Sequence, residues 1–221
     1  IIISMVKMLI RNFKHYFSKF ILSHFDKNIK NLNRYKTYED YVKKQLEKTL
    51  DPVRVSKLKG EQWNIKVDGF RKLFKRNHEF IKNKKNSICL GSRTGHEVFV
   101  LRELGINSIG LDLAEFQPYT IKGDIHDIKF KNSEFDLVFT NILDHSLYLE
   151  KFISEMERIS VSGAHIILNL QVNIPGDDYS ENIINDSKNI VIMFKQSNLI
   201  LSRKIKNSFD EMNLEMIFQN Y

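Results

Sequence analysis

The sequence predicts an α/β fold, a three-layer, doubly wound and mostly parallel sheet of seven strands with a helical extension in front of it. Two observations carry this. From residue 87 onward, short apolar runs alternate with amphipathic segments of helical spacing, the pattern of repeated strand-helix-strand units. Before residue 87 the apolar residues recur almost wholly at helical spacing, so residues 1–86 are read as a helical extension or cap and 87–221 as the main domain.

Within the extension, Val6, Leu9, Ile10, Phe13, Phe17, Phe20 and Ile21 fall on one helical face, with Lys7, Arg11, Lys14 and Lys19 between them. The lysine and arginine leave the apolar run too short to span a bilayer. Such a basic amphipathic helix over residues 1–25 either packs against protein or makes a peripheral contact with an anionic membrane surface. Thr37 with Asp40 forms a capping signal for a helix carrying Tyr41, Val42, Leu46 and Leu50. Asp51 and Pro52 start the next helix, and Trp63, Val67, Phe70, Phe74 and Phe80 approximate one face of a third.

Strands are expected at 87–90, 107–111, 120–123, 136–140, 164–170, 199–206 and 214–220. Helices are expected at 97–104, ended by Gly105, at 147–159 and near 189–196. The polar, turn-rich stretch 174–188 follows a strand end and is a candidate lid.

The first strand runs into the turn G-S-R-T-G at 91–95, and Asp112 ends the second strand about 20 residues on, where a carboxylate can take both ribose hydroxyls of a nucleotide-type cofactor. A dinucleotide turn needs glycine at its first, third and sixth positions. Arg93 and His96 occupy the last two, which disfavours a pyrophosphate ligand.

Five blocks follow in order: C-L-G-S-R-T-G-H-E (89–97), I-G-L-D-L (109–113), K-G-D-I-H-D-I-K-F (122–130), F-D-L-V-F-T-N-I-L-D-H (135–145) and S-G-A-H-I-I-L (162–168). In these the chain resembles the class I S-adenosylmethionine-dependent methyltransferases, Rossmann-like enzymes, and in particular the group with small-molecule acceptors. The resemblance implies that Gly91, Ser92, Arg93, Thr94 and Gly95 form the turn beneath the methionine part of S-adenosyl-L-methionine. It implies that Asp112 and Leu113 hold the ribose, Asp124 and Ile125 the adenine, and that Asn141 and Ile142 line the cofactor. Cys89 stands where the family usually has an acidic residue that helps hold the cofactor's amino group; Arg93 could pair with the methionine carboxylate instead.

Asp144 and His145 follow the fourth strand, where an acceptor would approach. His145 is a candidate general base and Asp144 a candidate acceptor-orienting group, against the alternative that Asp144 or Ser146 caps the following helix. Gln171, Asn173 and Tyr119 are further polar candidates for the pocket. The chain reads Asn141-Ile142-Leu143-Asp144 where methyltransferases of exocyclic or amide nitrogens carry Asn-Pro-Pro-aromatic, which excludes adenine-N6 or glutamine methylation. The expected function is methyl transfer to a small polar acceptor, oxygen before nitrogen, without a metal. The alternatives are a non-catalytic binding scaffold and an RNA methyltransferase.

Composition adds bounds. At 221 residues with 42% hydrophobic and 28% charged residues, the chain is long enough for one domain with a sizeable core. A single cysteine excludes an internal disulfide framework and suits a reducing compartment, so the expected location is cytoplasmic. No Cys/His cluster has zinc spacing. The net charge of +7, concentrated at 71–85, leaves two readings open, a solvated helix face or a nucleic-acid patch.

Overall fold

The computed structural model describes residues 29–221 except 33 and 208. The amphipathic segment expected over 1–25, with its membrane-surface alternative, lies outside the described residues. Among the described residues no helix is long and apolar enough to cross a membrane.

In chain order the elements are β1 (Ile29–Asn31), α1 (Tyr38–Leu50), α2 (Pro52–Lys59), α3 (Trp63–Arg76), α4 (His78–Ile81), β2 (Asn86–Leu90), α5 (His96–Glu103), β3 (Asn107–Asp112), β4 (Thr120–Lys122), β5 (Phe135–Thr140), a 3-10 turn (Leu143–His145), α6 (Leu149–Ile159), β6 (Ser160–Leu170), β7 (Asn182–Ile184), α7 (Lys188–Met193), β8 (Ser197–Lys204) and β9 (Leu214–Asn220). Seven strands form one sheet in the order β4-β3-β2-β5-β6-β9-β8. It is parallel from β4 to β6, while β9 runs antiparallel to both β6 and β8. The chain leaves β2 toward β3 on one side and resumes with β5 on the other. The crevice beyond the carboxyl ends of β2 and β5 is thus a topological switch point, where open α/β sheets bind ligands.

The central strands are buried on both faces, and their alternation divides the core. Ile88 and Leu90, with Val138, Ile166 and Leu168, pack against Phe152, Ile153 and Met156 of α6. Cys89, Leu137, Phe139 and Ile167 pack on the other face against Val67, Phe70 and Phe74 of α3 and Val98 and Leu101 of α5. Each fully buried side chain of this size contributes about 1.5–3 kcal/mol relative to exposure.

The expected caps form: Thr37 Oγ1 accepts from Asp40 N at 3.1 Å and Asp51 Oδ1 from Arg54 N at 2.7 Å. The cap expected at Asp144 or Ser146 does not. Helix α6 begins at Leu149 with Tyr148 at the cap position and no side-chain cap bond; Asp144 lies in the 3-10 turn, and Ser146 Oγ is 2.9 Å from His126 Nε2. Part of the stretch expected as a lid is a strand, since β7 pairs antiparallel with β1, Ile29 opposite Ile184. Much of the basic stretch 71–85 is bound within the chain: Arg71 to Asp68 and Glu103, Arg76 to buried Glu215, Lys82 to Glu79 and Lys84 to the carbonyl of Gly163.

Helix α1 departs from its expected face. Its buried residues are Tyr41, Gln45, Lys48 and Thr49, a polar stripe, whereas Leu50 is 53% exposed and Val42 and Leu46 border an outward groove. The stripe roofs the crevice.

Candidate active site

The floor of the crevice is the turn after β2. Gly91 and Gly95 both have φ of +76°, and a Cβ at Gly91 would come within 2.4 Å of Ile142 Cγ1. Arg93 also has positive φ, and its backbone N–H donates to Asp112 Oδ2 at 2.9 Å, which ties the turn to the end of β3. Asp112 is buried; burial pushes its pKa up, against backbone N–H groups of Arg93, Leu113 and Ala114 that favour the carboxylate. The Arg93 side chain lines the cavity and makes no close ion pair or side-chain hydrogen bond among the described residues, though Asp112, Glu97 and Asp177 act on it from farther away, and its Nε is buried and unpaired. Burial pushes its pKa down, so an anion there would relieve a real desolvation penalty.

Beyond β4, Asp124 is held from two sides. Tyr38 of α1 donates its hydroxyl proton to Oδ2 at 2.5 Å, and the His126 backbone N–H donates to Oδ1 at 2.8 Å. Burial works against the charged form, but the His126 and Tyr38 hydrogen bonds hold the pKa down at about 2.

The roof comes from α1 and the loop before β7. His145 Nδ1 lies 2.8 Å from the Tyr179 carbonyl, which can only accept, so Nδ1 carries the proton and Nε2 keeps its lone pair. Lys48 Nζ donates to that Nε2 at 3.2 Å, and Tyr41 donates its hydroxyl proton to the His145 carbonyl at 3.0 Å. Gln45 Nε2 reaches the Tyr179 carbonyl and Glu181. Burial lowers the pKa of His145, keeping it neutral, and lowers that of Lys48 to about 8. The cavity enclosed this way is about 50 Å³, tighter than the roughly 300–1,000 Å³ of open small-molecule sites, with floor and roof close together.

Residues 88–168 match the family model described as "Methyltransferase domain". Over these residues the chain carries a methyltransferase domain, an enzyme domain, on the Rossmann-like fold. The search of curated proteins found no match. Among solved structures, the methyltransferase is similar to the Burkholderia thailandensis 1,6-didemethyltoxoflavin-N1-methyltransferase with bound 1,6-didemethyltoxoflavin and S-adenosylhomocysteine, at 10% identity and TM-score 0.63 over 87% of this chain and 94% of the other. It is also similar to a SAM-dependent methyltransferase from Archaeoglobus fulgidus, at 13% identity and TM-score 0.56 over 70% and 94% of the two chains, and to a Pyrococcus horikoshii protein, at 15% identity and TM-score 0.57 over 73% and 92%.

The cavity of the methyltransferase brings together Gly91, Arg93, Asp112, Leu113, Asp124, Ile125, Ile142 and His145. These residues fit S-adenosylmethionine: side-chain-free backbone at Gly91, the Asp112 carboxylate at the end of β3, and a guanidinium at Arg93 that suits a carboxylate. Other expected residues lie elsewhere. Ser92 is buried with its hydroxyl 2.9 Å from Thr120 Oγ1, Gly95 packs against Tyr119, and Asn141 is not among the lining residues. Thr94 and Tyr119 border a separate cavity with Trp63 and Phe116. Gln171 and Asn173 are outside the site as well, because the chain turns away after β6 and the Asn173 N–H bonds the Ile184 carbonyl. Asp144 is not among the lining residues and holds the loop before β7: its Oδ2 accepts from Ser180 Oγ at 3.1 Å and lies 3.7 Å from His145 Nε2, and its carbonyl accepts from Glu181 N at 2.8 Å.

Tyr41, Gln45, Lys48 and Thr49 of α1 were not expected in the site. Their spacing of four, three and one residues is a polar stripe at helical period, the one sequence signal that marks them. Among the described residues no group of three His, Cys, Asp or Glu side chains is placed to hold a metal ion.

Proposed function

We propose that the enzyme methylates a small polar acceptor, an oxygen in preference to a nitrogen, bound beneath α1 with His145 as the general base. S-adenosylmethionine supplies a methyl group on a cationic sulfur, and in-line transfer needs an aligned acceptor lone pair in a dry pocket. The observation that carries the reading is the contact of His145 Nδ1 with the Tyr179 carbonyl, which makes Nε2 the basic atom of a cavity-lining ring, held by Lys48 until an acceptor displaces it. A hydroxyl acceptor loses a proton on methylation, and a neutral imidazole is matched to that task. Lys48, Tyr41 and Gln45 orient the roof, and Asp144 acts as a positioning residue through Ser180. On this reading the segment before residue 87 is the acceptor cap. Arg93 is the ligand of the methionine carboxylate and replaces the contact absent at Cys89. Asp112 takes the ribose, and Asp124 with Ile125 the adenine, the adenine amino group sharing Oδ2 with Tyr38. A small acceptor is favoured over RNA because Lys48 is only 6% exposed and a polymer has no straight path to it.

Calorimetry with S-adenosylhomocysteine tests the cofactor half of this. The wild-type protein should bind it, and Arg93→Met should weaken binding about tenfold or more, the value of a hydrogen-bonded charge pair. Equal affinity of the variant would remove Arg93 from its role. Steeply salt-dependent binding of a short RNA would replace the small-acceptor reading with the nucleic-acid one.

A further inference from the structure

We propose that the acceptor is an anion, its carboxylate or phosphate held by Lys48 with Arg54 at the cavity mouth; this rests on the small-acceptor reading above. The argument is a count of free donors. At the far end of the crevice the acidic groups are already engaged: Asp112 by the backbone N–H of Arg93, and Asp124 by Tyr38 and His126. At the acceptor end, Lys48 is buried and its ammonium donates one hydrogen bond, to His145 Nε2. The carboxylate facing it, Asp177, is 3.6 Å away, an ion-pair distance outside good hydrogen-bond range, and its Oδ1 accepts from Tyr179 N. Lys48 therefore has N–H groups to give.

Arg54 is next to it. The exposed Arg54 guanidinium, the Lys48 ammonium and the Lys44 ammonium all lie over the Tyr179 ring, at 5.2, 4.8 and 5.2 Å from its centroid, so one aromatic residue of the loop gathers three cations beside the buried Lys48. Asp177 and Asp144 offset the Lys48 charge from a distance, but neither gives its ammonium a close hydrogen-bond acceptor. An anionic acceptor would supply one, and drawing Lys48 toward it frees His145 Nε2 for the acceptor proton. Lys48 is then a specificity-determining residue. Its surroundings are Asp177 and the Tyr179 ring from the loop, Asp144 and His145 from the 3-10 turn, Arg93 from the glycine turn and Arg54 from α2.

The test uses the full chain saturated with S-adenosylhomocysteine, into which benzoate, inorganic phosphate and the uncharged benzamide are titrated by calorimetry. At least one of the two anions should bind about tenfold or more tightly than benzamide, and which one does so distinguishes a carboxylate from a phosphate acceptor. Lys48→Met should abolish the preference while Lys48→Arg keeps it, and the preference should fade above about pH 8. Failure of both anions to bind, equal binding of benzamide, an unchanged preference in Lys48→Met, or an affinity rising above pH 8 overturns the proposal. Failure of S-adenosylhomocysteine itself to bind would instead defeat the cofactor-site reading on which it stands.

Discussion

Helices α1 and α3 lie in the same N-terminal third of the chain and bury opposite kinds of residue. Helix α3 presents Val67, Phe70, Leu73 and Phe74 to the sheet, all 4% exposed or less. Helix α1 presents Tyr41, Gln45, Lys48 and Thr49 to the crevice and leaves Leu50 at 53% exposure. Periodicity identifies which face of a helix is apolar, and α3 shows the usual outcome, in which that face is the buried one. Helix α1 shows the other case, where the buried face covers a ligand cavity and is chosen for chemistry. The contrast assigns α3 to stability and α1 to function.

The largest effect should come from breaking the α3 side. Phe74→Ala removes a fully buried ring between Phe70 and Phe139 and should lower the unfolding free energy by about 3–5 kcal/mol in urea titrations. Lys48→Met should lower it by less than about 1 kcal/mol, since the desolvation of the buried charge offsets its ion pair with Asp177 at 3.6 Å. Equal losses would mean that α1 is core after all.

On the functional side, His145→Ala should slow methyl transfer about 100-fold or more while leaving S-adenosylhomocysteine affinity unchanged, the range lost with a general base. A variant that turns over normally would restrict His145 to holding the loop at Tyr179.

A smaller effect follows from the pH dependence of stability. The pKa of Lys48 is about 8 in the folded chain and 10.5 unfolded, so between those values the unfolded chain binds more protons and the Lys48 contribution to stability rises with pH. Wild-type protein should therefore gain stability relative to Lys48→Met as pH is raised from about 8 to 10.5. A constant difference across that window would show that Lys48 keeps an ordinary pKa and is not desolvated beneath α1. The smallest effect belongs to the outer face of α1, where Leu50→Ser should change stability by no more than about 0.5 kcal/mol.

The sheet was legible because Ile88, Leu90, Val138, Ile166 and Leu168 form apolar runs bounded by turn residues, and every expected strand formed within a few residues of its place. The glycine turn and Asp112 were legible because their spacing along the chain reflects a local geometry, one strand, one turn and one helix. The roof was not. Lys48 and His145 meet across 97 residues of sequence, and a lysine on an amphipathic helix reads by default as solvated. β1 and β7 are three residues each and are stabilised by each other, so neither carries a periodic signal alone. Asp144 read as a candidate catalytic group with a helix cap as its alternative. It is neither a cap nor a lining residue, because the chain makes a 3-10 turn there and points it at Ser180.

The most direct test of the central claim, a methyl-donor cavity roofed by the polar face of α1, is a crystal structure of the protein with S-adenosylhomocysteine bound. The account predicts the methionine carboxylate on the Arg93 guanidinium and the sulfur open toward Lys48 and His145. A carboxylate turned away from Arg93, or a sulfur walled off from α1, would contradict it.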